Sequence, residues 1–167
     1  MTNMTANVNP VPDGYHTITP YIIIKDAHRA IEFYKKSFSA EERHRMYGPD
    51  NKTIMHAEIR IGDSAIMLSE ESKEMKSFSP QTVGGNPVWL YVYVNDVDST
   101  FNQAVSAGAT VIEPVNDAFW GDRVGSIKDP FGYQWSIATH KKDLSPEEIK
   151  KAAEDFCTTM SKKEVTQ

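Results

Sequence analysis

Cysteine is almost absent from this sequence, which contains Cys157 and no other thiol. A single cysteine cannot form an intramolecular disulfide, so a reducing compartment is expected. The first 14 residues lack the basic and apolar segments of a secretory signal peptide, and no apolar run approaches the roughly 20 residues of a membrane span. We therefore expect a cytoplasmic protein that does not associate with a membrane.

Basic charge is also scarce. The chain has 18 Lys and Arg residues against 23 Asp and Glu residues, and its formal net charge is −5 at pH 7. No basic run is long enough to follow a phosphate backbone, so nucleic-acid binding is not expected. The chain has 167 residues, 40% of them hydrophobic, which is enough to bury the core of one ordinary domain.

What the sequence does contain is an internal repeat at an offset of 70 residues. The segment Pro20 to Tyr34 aligns without a gap with Leu90 to Ala104. Further along, Ile61 to Leu68 aligns with Phe131 to Ala138 at the same offset. Two separated pairs of segments that share one offset indicate a duplicated module.

Each copy predicts the same order of elements. A short run of β-branched and aromatic residues ends at an aspartate, Asp26 or Asp96, in the position of a helix N-cap. A helical pattern and three strand-like segments follow, so each copy is predicted to be a βαβββ module. The two modules are expected at about residues 15–76 and 86–140, within one domain over 15–140.

Two segments fall outside the repeat. Residues 1–14 are polar and are predicted to form a flexible tail. Residues 141–167 form a C-terminal extension in which Ser145 and Glu148 make a capping box before an apolar helical stripe. This stripe needs a surface to pack on, either the body of its own chain or a partner subunit, and we expect Cys157, at its edge, to be buried rather than reactive.

Tandem βαβββ modules, with IKDAHRAIEFY at the first helix and DPFGYQW before the last strand, resemble the vicinal oxygen chelate superfamily. That superfamily includes glyoxalase I, bleomycin-resistance proteins and extradiol dioxygenases, and the resemblance to an uncharacterised, glyoxalase-like branch covers residues 15–140. It implies an α+β fold in which the two modules form a curled mixed sheet around a central cup, with a C-terminal helix added. It also implies a homodimer.

Metal-dependent members of the superfamily carry His, Glu or Gln ligands on the first and last strand of each module. The resemblance carries these four places to Thr19, Ile66, Trp89 and Ser136. None of these side chains is a good ligand for a divalent ion, and a shift of one residue from Ile66 would offer only Met67. We therefore expect no metal and no other cofactor.

Strand alternation indicates what would line the cup instead. Thr19 and Tyr21 share one face of the first strand, and Trp89, Tyr91 and Tyr93 share one face of its counterpart. Aromatic walls with hydroxyl groups at their tips are typical of a pocket for an organic ligand. The alternative is that these aromatic side chains pack against one another.

Two further groups are candidates for binding or catalysis. His56 and Glu58 alternate on one strand, as a base and its orienting acid or as an ordinary polar strand surface. Ser136 lacks an evident His–Asp pair to activate it, so we expect it to be a hydrogen-bonding residue of the pocket.

The segment FWGDR offers a possible anion clamp. Arg123 is predicted to bind a carboxylate or phosphate of the ligand, with Trp120 as a stacking wall. The alternative is that Arg123 forms a surface ion pair, with Asp122 or another acid, and that Trp120 is a buried structural residue.

These observations favour a protein that binds a small aromatic or amphipathic molecule without metal, on the bleomycin-resistance plan. The alternative is an enzyme of the superfamily. It would be a metal-dependent lyase, isomerase or dioxygenase, or a metal-free acid–base catalyst that uses His56, Glu58 and Arg123. A third possibility is a structural role in which Trp89 and Tyr91 close the cup.

Overall fold

The structure is a computed structural model that describes residues 8–164, with side chains described through residue 159. Half of the predicted N-terminal tail, residues 1–7, therefore lies outside the described part. The chain divides into two compact units between Gly85 and Asn86. Each unit contains the element order βαβββ, so the predicted tandem modules are confirmed. Within the described part, no helix is both long and apolar enough to cross a membrane.

The first unit is built on a four-stranded mixed sheet, called sheet 1, with strand order β1-β4-β3-β2. Strands β1 and β4 are parallel, and the other neighbours are antiparallel. Its elements are β1 (Tyr21–Ile24), α1 (Ala27–Phe38), β2 (Glu41–Tyr47), β3 (Ile54–Ile61), β4 (Ser64–Glu70) and the short helix α2 (Pro80–Val83).

The second unit repeats this plan in sheet 2, with strand order β5-β8-β7-β6 and a parallel pair β5–β8. Its elements are β5 (Trp89–Tyr93), α3 (Val97–Ser106), β6 (Thr110–Asp117), β7 (Asp122–Lys128), β8 (Gln134–His140) and the C-terminal helix α4 (Pro146–Glu164).

The helices begin where the aspartates predict. Asp26 accepts a hydrogen bond from the backbone N–H of Arg29 at 3.1 Å, and Asp96 accepts one from Ser99 at 3.0 Å. Each bond satisfies a backbone donor that the first turn of a helix otherwise leaves unpaired. The helices then pack one face on their own sheet, with Ile31 of α1 fully buried.

Each sheet therefore has a face that packs on its helix and a face turned away from it, called here the distal face. In β1, Ile22 and Ile24 are buried while Tyr21 is 48% exposed, as the predicted alternation requires. Residues directly opposite each other on paired strands share a face. The distal face of sheet 1 thus runs through Tyr21, Met67 and Glu58. That of sheet 2 runs through Tyr91, Ser136 and Ser126.

This register corrects the predicted position of Ile66. Tyr21 is opposite Met67, whereas the corresponding Tyr91 is opposite Ser136, so the offset of the repeat falls from 70 to 69 in the last strand. A shift of one residue moves a side chain to the other face of a sheet. Ile66 consequently lies on the helix-covered face, opposite Ile59, and is buried.

The turn in the DPFGYQW segment is held by a buried carboxylate. Asp129 accepts hydrogen bonds from the backbone N–H groups of Phe131 and Tyr133, both at 2.9 Å. Its other oxygen accepts from the indole Nε1 of Trp135 at 2.9 Å. Asp129 and Trp135 are both almost fully buried, so this segment has a structural role in starting β8.

The C-terminal helix confirms the capping box but not the burial of its cysteine. Glu148 donates its backbone N–H to Ser145 Oγ at 3.2 Å and accepts from the Ser145 backbone at 2.8 Å. Along α4, Ala152 and Ala153 are half-buried, while residues 154–159 are exposed. Cys157 is exposed, and the prediction that it is buried is wrong, because the apolar stripe is covered only in part: Phe156 contacts the Phe119 ring, with ring centres 5.4 Å apart, and is still 49% exposed.

Candidate functional site

The distal face of sheet 2 exposes several large aromatic side chains. Along β5, Trp89 is 47% exposed, Tyr91 46% and Tyr93 63%. They share a face because alternate residues of a strand point the same way. Trp120, 39% exposed, is contributed by the loop that connects β6 to β7. We call these four residues the aromatic patch.

A buried carboxylate links most of the aromatic patch. Asp122, the first residue of β7, is only 3% exposed. Among the described residues, four side chains bond to it. Its Oδ2 accepts from the Tyr91 hydroxyl at 3.1 Å, the Tyr93 hydroxyl at 3.0 Å and Trp120 Nε1 at 3.1 Å. Its Oδ1 accepts from His140 Nδ1 at 2.8 Å.

These bonds keep Asp122 ionised in spite of its burial. Burial by itself raises the pKa of a carboxyl group, because it removes water from the charged form. At Asp122 the hydrogen bonds from His140, Tyr93, Trp120 and Tyr91 outweigh this effect and hold the pKa below its usual range. Burial and the bond to Asp122 in turn raise the pKa of both tyrosine hydroxyls, which stay protonated.

His140 connects Asp122 to a second carboxylate. Its Nε2 lies 3.0 Å from Asp143 Oδ1, while its Nδ1 bonds to Asp122. Both nitrogens can donate at once only in the protonated ring. The two carboxylates accordingly raise the pKa of His140 above its ordinary value of 6.5.

The distal face of sheet 1 carries the predicted His56 and Glu58 pair. His56 Nε2 lies 3.0 Å from Glu58 Oε1, and the Tyr21 hydroxyl lies 3.4 Å from His56 Nδ1. The Tyr15 hydroxyl donates to Glu58 Oε2. The bonds from Tyr15 and His56 lower the pKa of Glu58, and the bond to Glu58 raises the pKa of Tyr15.

The structure places Thr19 and Ser136 in different surroundings. Thr19 precedes β1, is half-exposed, and donates its hydroxyl to the His16 carbonyl at 3.1 Å. Ser136 lies on the distal face opposite Tyr91, is 8% exposed, and has its Oγ 3.4 Å from Ser126 Oγ. Contact of either residue with a ligand stays a prediction.

Arg123 is directed to the helix-covered side of its strand. It bonds to both carboxylate oxygens of Asp98 on α3, at 2.8 and 2.7 Å, and to Asp117 at 3.2 Å. Its role as a ligand clamp stays a prediction, but these contacts favour the alternative of an ion pair. The partners are Asp98 and Asp117, whereas Asp122, on the distal face, is bonded to the aromatic patch.

The side chains at the four places where metal-binding relatives carry ligands do not fit a divalent ion. With the register of β4 corrected, these places hold Thr19, Met67, Trp89 and Ser136. They offer two hydroxyls, a thioether and an indole, and no imidazole or carboxylate, which are the donors that zinc and its neighbours require. Within the described part, three or more His, Cys, Asp or Glu side chains nowhere converge on a possible metal position.

The centre of this arrangement was not among the predicted site residues. Asp122 was predicted only as a possible ion-pair partner of Arg123, and His140 had no predicted role. Counting from Ser136 in steps of two reaches His140 on the same face, so alternation alone could have indicated it. The bonds of Asp122 to residues 31, 29 and 18 positions away have no comparable signal in the sequence.

Known proteins resemble this chain in sequence and in fold. Residues 14–137 match the Glyoxalase/Bleomycin resistance protein/Dioxygenase superfamily. An uncharacterised protein of Mycobacterium bovis is 40% identical over 152 residues, which cover 89% of this chain and 95% of that protein.

Among solved structures, TioX from Micromonospora sp. ML1 matches with a TM-score of 0.58 and 24% identity, over 78% of this chain and all (100%) of that chain. Protein PA1353 from Pseudomonas aeruginosa matches with a TM-score of 0.60 and 19% identity, over 75% of this chain and 98% of that chain. At these identities the two structures show a shared fold alone. The family match, which spans most of the sequence, shows that the chain belongs to the Glyoxalase/Bleomycin resistance protein/Dioxygenase superfamily.

Proposed function

We propose that this protein binds a small organic molecule with an aromatic ring on the distal face of sheet 2. The observation that carries the proposal is the exposure of the aromatic patch, in which Trp89 is 47% and Tyr93 63% exposed. Contiguous exposed aromatic surface is uncommon on a protein unless something binds there. The network around Asp122 supports the proposal further, since it fixes three of these side chains in place before a ligand arrives.

Fixed aromatic side chains favour binding because they lose little conformational entropy when a ligand is bound. Tyr91, Tyr93 and Trp120 are each tied to one buried carboxylate. A ring that stacks on Trp89 then lies beside polar groups whose positions are already set. The third possibility, in which Trp89 and Tyr91 fill the site themselves, is less well supported because both are nearly half exposed.

The three tryptophans of the chain provide the test. In a ¹⁵N-labelled sample each indole N–H gives its own NMR signal, and a panel of monocyclic and bicyclic aromatic compounds is titrated. We expect ligands to shift the signals of Trp89 and Trp120. The signal of Trp135 should stay in place, because Trp135 is 2% exposed and bonds to Asp129 on the helix-covered side.

Two variants make this test specific. Trp89→Ala should weaken binding about tenfold, since one aromatic contact contributes about 0.5–1.5 kcal/mol beyond its buried area. Phe78→Ala is the matched control, because Phe78 is 42% exposed but lies outside sheet 2, and binding should be unchanged. Arg123→Gln should also bind normally, whereas loss of binding would support the predicted clamp. Equal shifts of all three indoles, or none, would contradict the proposal.

A second candidate function is metal-free acid–base catalysis on sheet 1. It is favoured by the 3.0 Å contact of His56 with Glu58, which orients the ring, and by the Tyr21 hydroxyl on the other ring nitrogen. In this arrangement Glu58 orients the His56 ring, and Nδ1 would accept a proton from a substrate that takes the place of the Tyr21 hydroxyl. Turnover of a bound ligand that is lost in His56→Gln and Glu58→Gln would support it, and turnover unchanged in both would exclude it.

The homodimer stays a prediction.

A further inference from the structure

We propose that the aromatic patch selects ligands in which a positively charged, hydrogen-bond-donating group, such as a primary or secondary ammonium, adjoins an aromatic ring. The inference deepens the proposed function and rests on it. It names the class of molecule that the site recognises, which the family membership leaves open.

The tyrosine hydroxyls of the aromatic patch direct their protons at Asp122. A phenol carries one proton, and Tyr91 and Tyr93 each donate theirs to Asp122 Oδ2, at 3.1 and 3.0 Å. Asp122 is ionised and has no proton to return. Towards any other molecule the two phenol oxygens can therefore only accept. A ligand that offers donors can bond to them, above all to the more exposed Tyr93, since the Tyr91 oxygen also lies within reach of Trp120. A ligand that offers only acceptors, such as a carboxylate, cannot.

The titratable groups bonded to Asp122 place negative charge behind the aromatic patch. Asp122 and Asp143 contribute two negative charges against one positive charge on the protonated His140 ring that bonds to both. The net charge of this group is negative, and it becomes more negative if His140 loses its proton. Asp122 is buried, so its field is less screened by water than that of a surface carboxylate. Lys128, the cation on this face of β7, lies at the opposite end of the strand, opposite Gln134. Lys141 and Lys142, whose backbone N–H groups bond to Gly121, are exposed, so water and salt screen their charges more than that of Asp122.

The ring faces of the aromatic patch also favour a cation. The face of an aromatic ring attracts a cation placed within about 6 Å of its centre, with tryptophan the strongest partner. The ring centres of Tyr91 and Tyr93 are 5.1 Å apart, so one small cation can approach both. Trp89 follows on the same face two residues away, about 7 Å along the strand. Acceptor oxygens, negative charge and ring faces thus favour the same kind of ligand.

The experiment compares four probes that share a phenyl ring. Benzylammonium is cationic and donates N–H bonds, benzyltrimethylammonium is cationic without N–H groups, benzyl alcohol is neutral, and benzoate is anionic. Dissociation constants are measured from the indole signals of Trp89 and Trp120. We expect benzylammonium to bind about tenfold more tightly than benzyl alcohol, with benzoate the weakest.

Two variants separate the effect of the Asp122 charge from that of the phenol oxygens. In Asp122→Asn the side-chain amide removes the charge and supplies a donor, so the tyrosine protons are free to turn outward. The preference for benzylammonium over benzoate should then fall by about tenfold or reverse. In the double variant Tyr91→Phe and Tyr93→Phe the rings remain but the acceptors are lost. The affinity for benzylammonium should fall severalfold. The affinity for benzyltrimethylammonium should be unchanged, because that probe binds through its charge and the ring faces alone.

The control is Asp98→Asn, which makes the same chemical change on the helix-covered side of the same unit and should leave the order of the probes unchanged. An unshifted Trp135 signal shows that each variant is folded. Equal binding of all four probes would overturn this inference and leave the proposed function standing. Binding of no probe would overturn both. If the indole signal of Trp89 shifts with protein concentration in the absence of any probe, a second copy of the chain covers the patch. That result would also overturn both this inference and the proposed function.

Discussion

The distal face of each sheet contains a carboxylate that accepts a hydrogen bond from a tyrosine hydroxyl and contacts a histidine. The two carboxylates differ in how deeply they are buried. Asp122 of sheet 2 is 3% exposed and holds four side chains of the described part in place. The Glu58 side chain of sheet 1 is 21% exposed and bonds to Tyr15 and His56. The buried network fixes a surface for binding, whereas the more exposed pair remains open to solvent.

The two carboxylates do not occupy corresponding positions of the repeat. Glu58 is opposite Met67 on sheet 1, and the residue in the same place on sheet 2 is Ser126, opposite Ser136. Asp122 lies four residues earlier on its strand, opposite His140. The duplicated framework was therefore kept, while each distal face acquired its polar groups at separate sites. A comparison of the two units predicts their architecture and not their chemistry.

The largest difference in stability should be found between the two turns that lead into the last strands. Asp129→Ala should cost about 3 kcal/mol of unfolding free energy, because it leaves the buried N–H groups of Phe131, Tyr133 and Trp135 without this acceptor. The corresponding turn of sheet 1 has an exposed Asp63, and Asp63→Ala should change stability by less than about 0.5 kcal/mol. Urea denaturation measures both. Similar costs would mean that the Asp129 bonds contribute little.

A smaller difference is expected where the helices meet the sheets. Gly125 of β7 occupies the place that Ala57 occupies in β3. A Cβ at Gly125 would lie 2.8 Å from both Phe101 and Val115, so Gly125→Ala should cost about 2 kcal/mol by overpacking.

The helix α1 carries Ile31 where α3 carries Phe101, which explains why sheet 1 accepts an alanine. The double variant Gly125→Ala with Phe101→Leu should therefore lose about 1 kcal/mol less than the sum of the single variants. Strict additivity in urea denaturation would show that the ring does not cause the strain.

The smallest effect concerns pH. The pKa of His140 is raised above 6.5 by Asp122 and Asp143, so the folded protein binds this proton more tightly than the unfolded chain. The stabilisation is complete below pH 6.5 and is lost as the pH rises through the raised pKa. The wild-type protein should therefore melt at a higher temperature than His140→Gln, and this difference in melting temperature should be larger at about pH 5.5 than at about pH 9.

Asp143→Asn keeps the bond of His140 to Asp122 and should show an intermediate dependence on pH. A difference in melting temperature that is constant across this range would show that His140 titrates alike in the folded and unfolded chain.

The sequence predicted the parts of this protein that depend on local patterns. The aspartates that begin α1 and α3 and the alternation that exposes Tyr21 and Trp89 are set by neighbours a few residues away. The register of a strand is different, because it depends on how two distant strands pair. For this reason the prediction placed Ile66, instead of its neighbour Met67, on the distal face. Cys157 was misplaced because an apolar stripe does not reveal where its cover ends.

The turn held by Asp129 also changes what the DPFGYQW segment can be used for. Its carboxylate and the Trp135 indole are buried together, so the demands of folding alone are enough to preserve them. A database search seeded with this segment will collect proteins that share an architecture and have unrelated ligands. Relatives that bind the same kind of molecule should instead be sought by the joint presence of Tyr91, Trp120, Asp122 and His140.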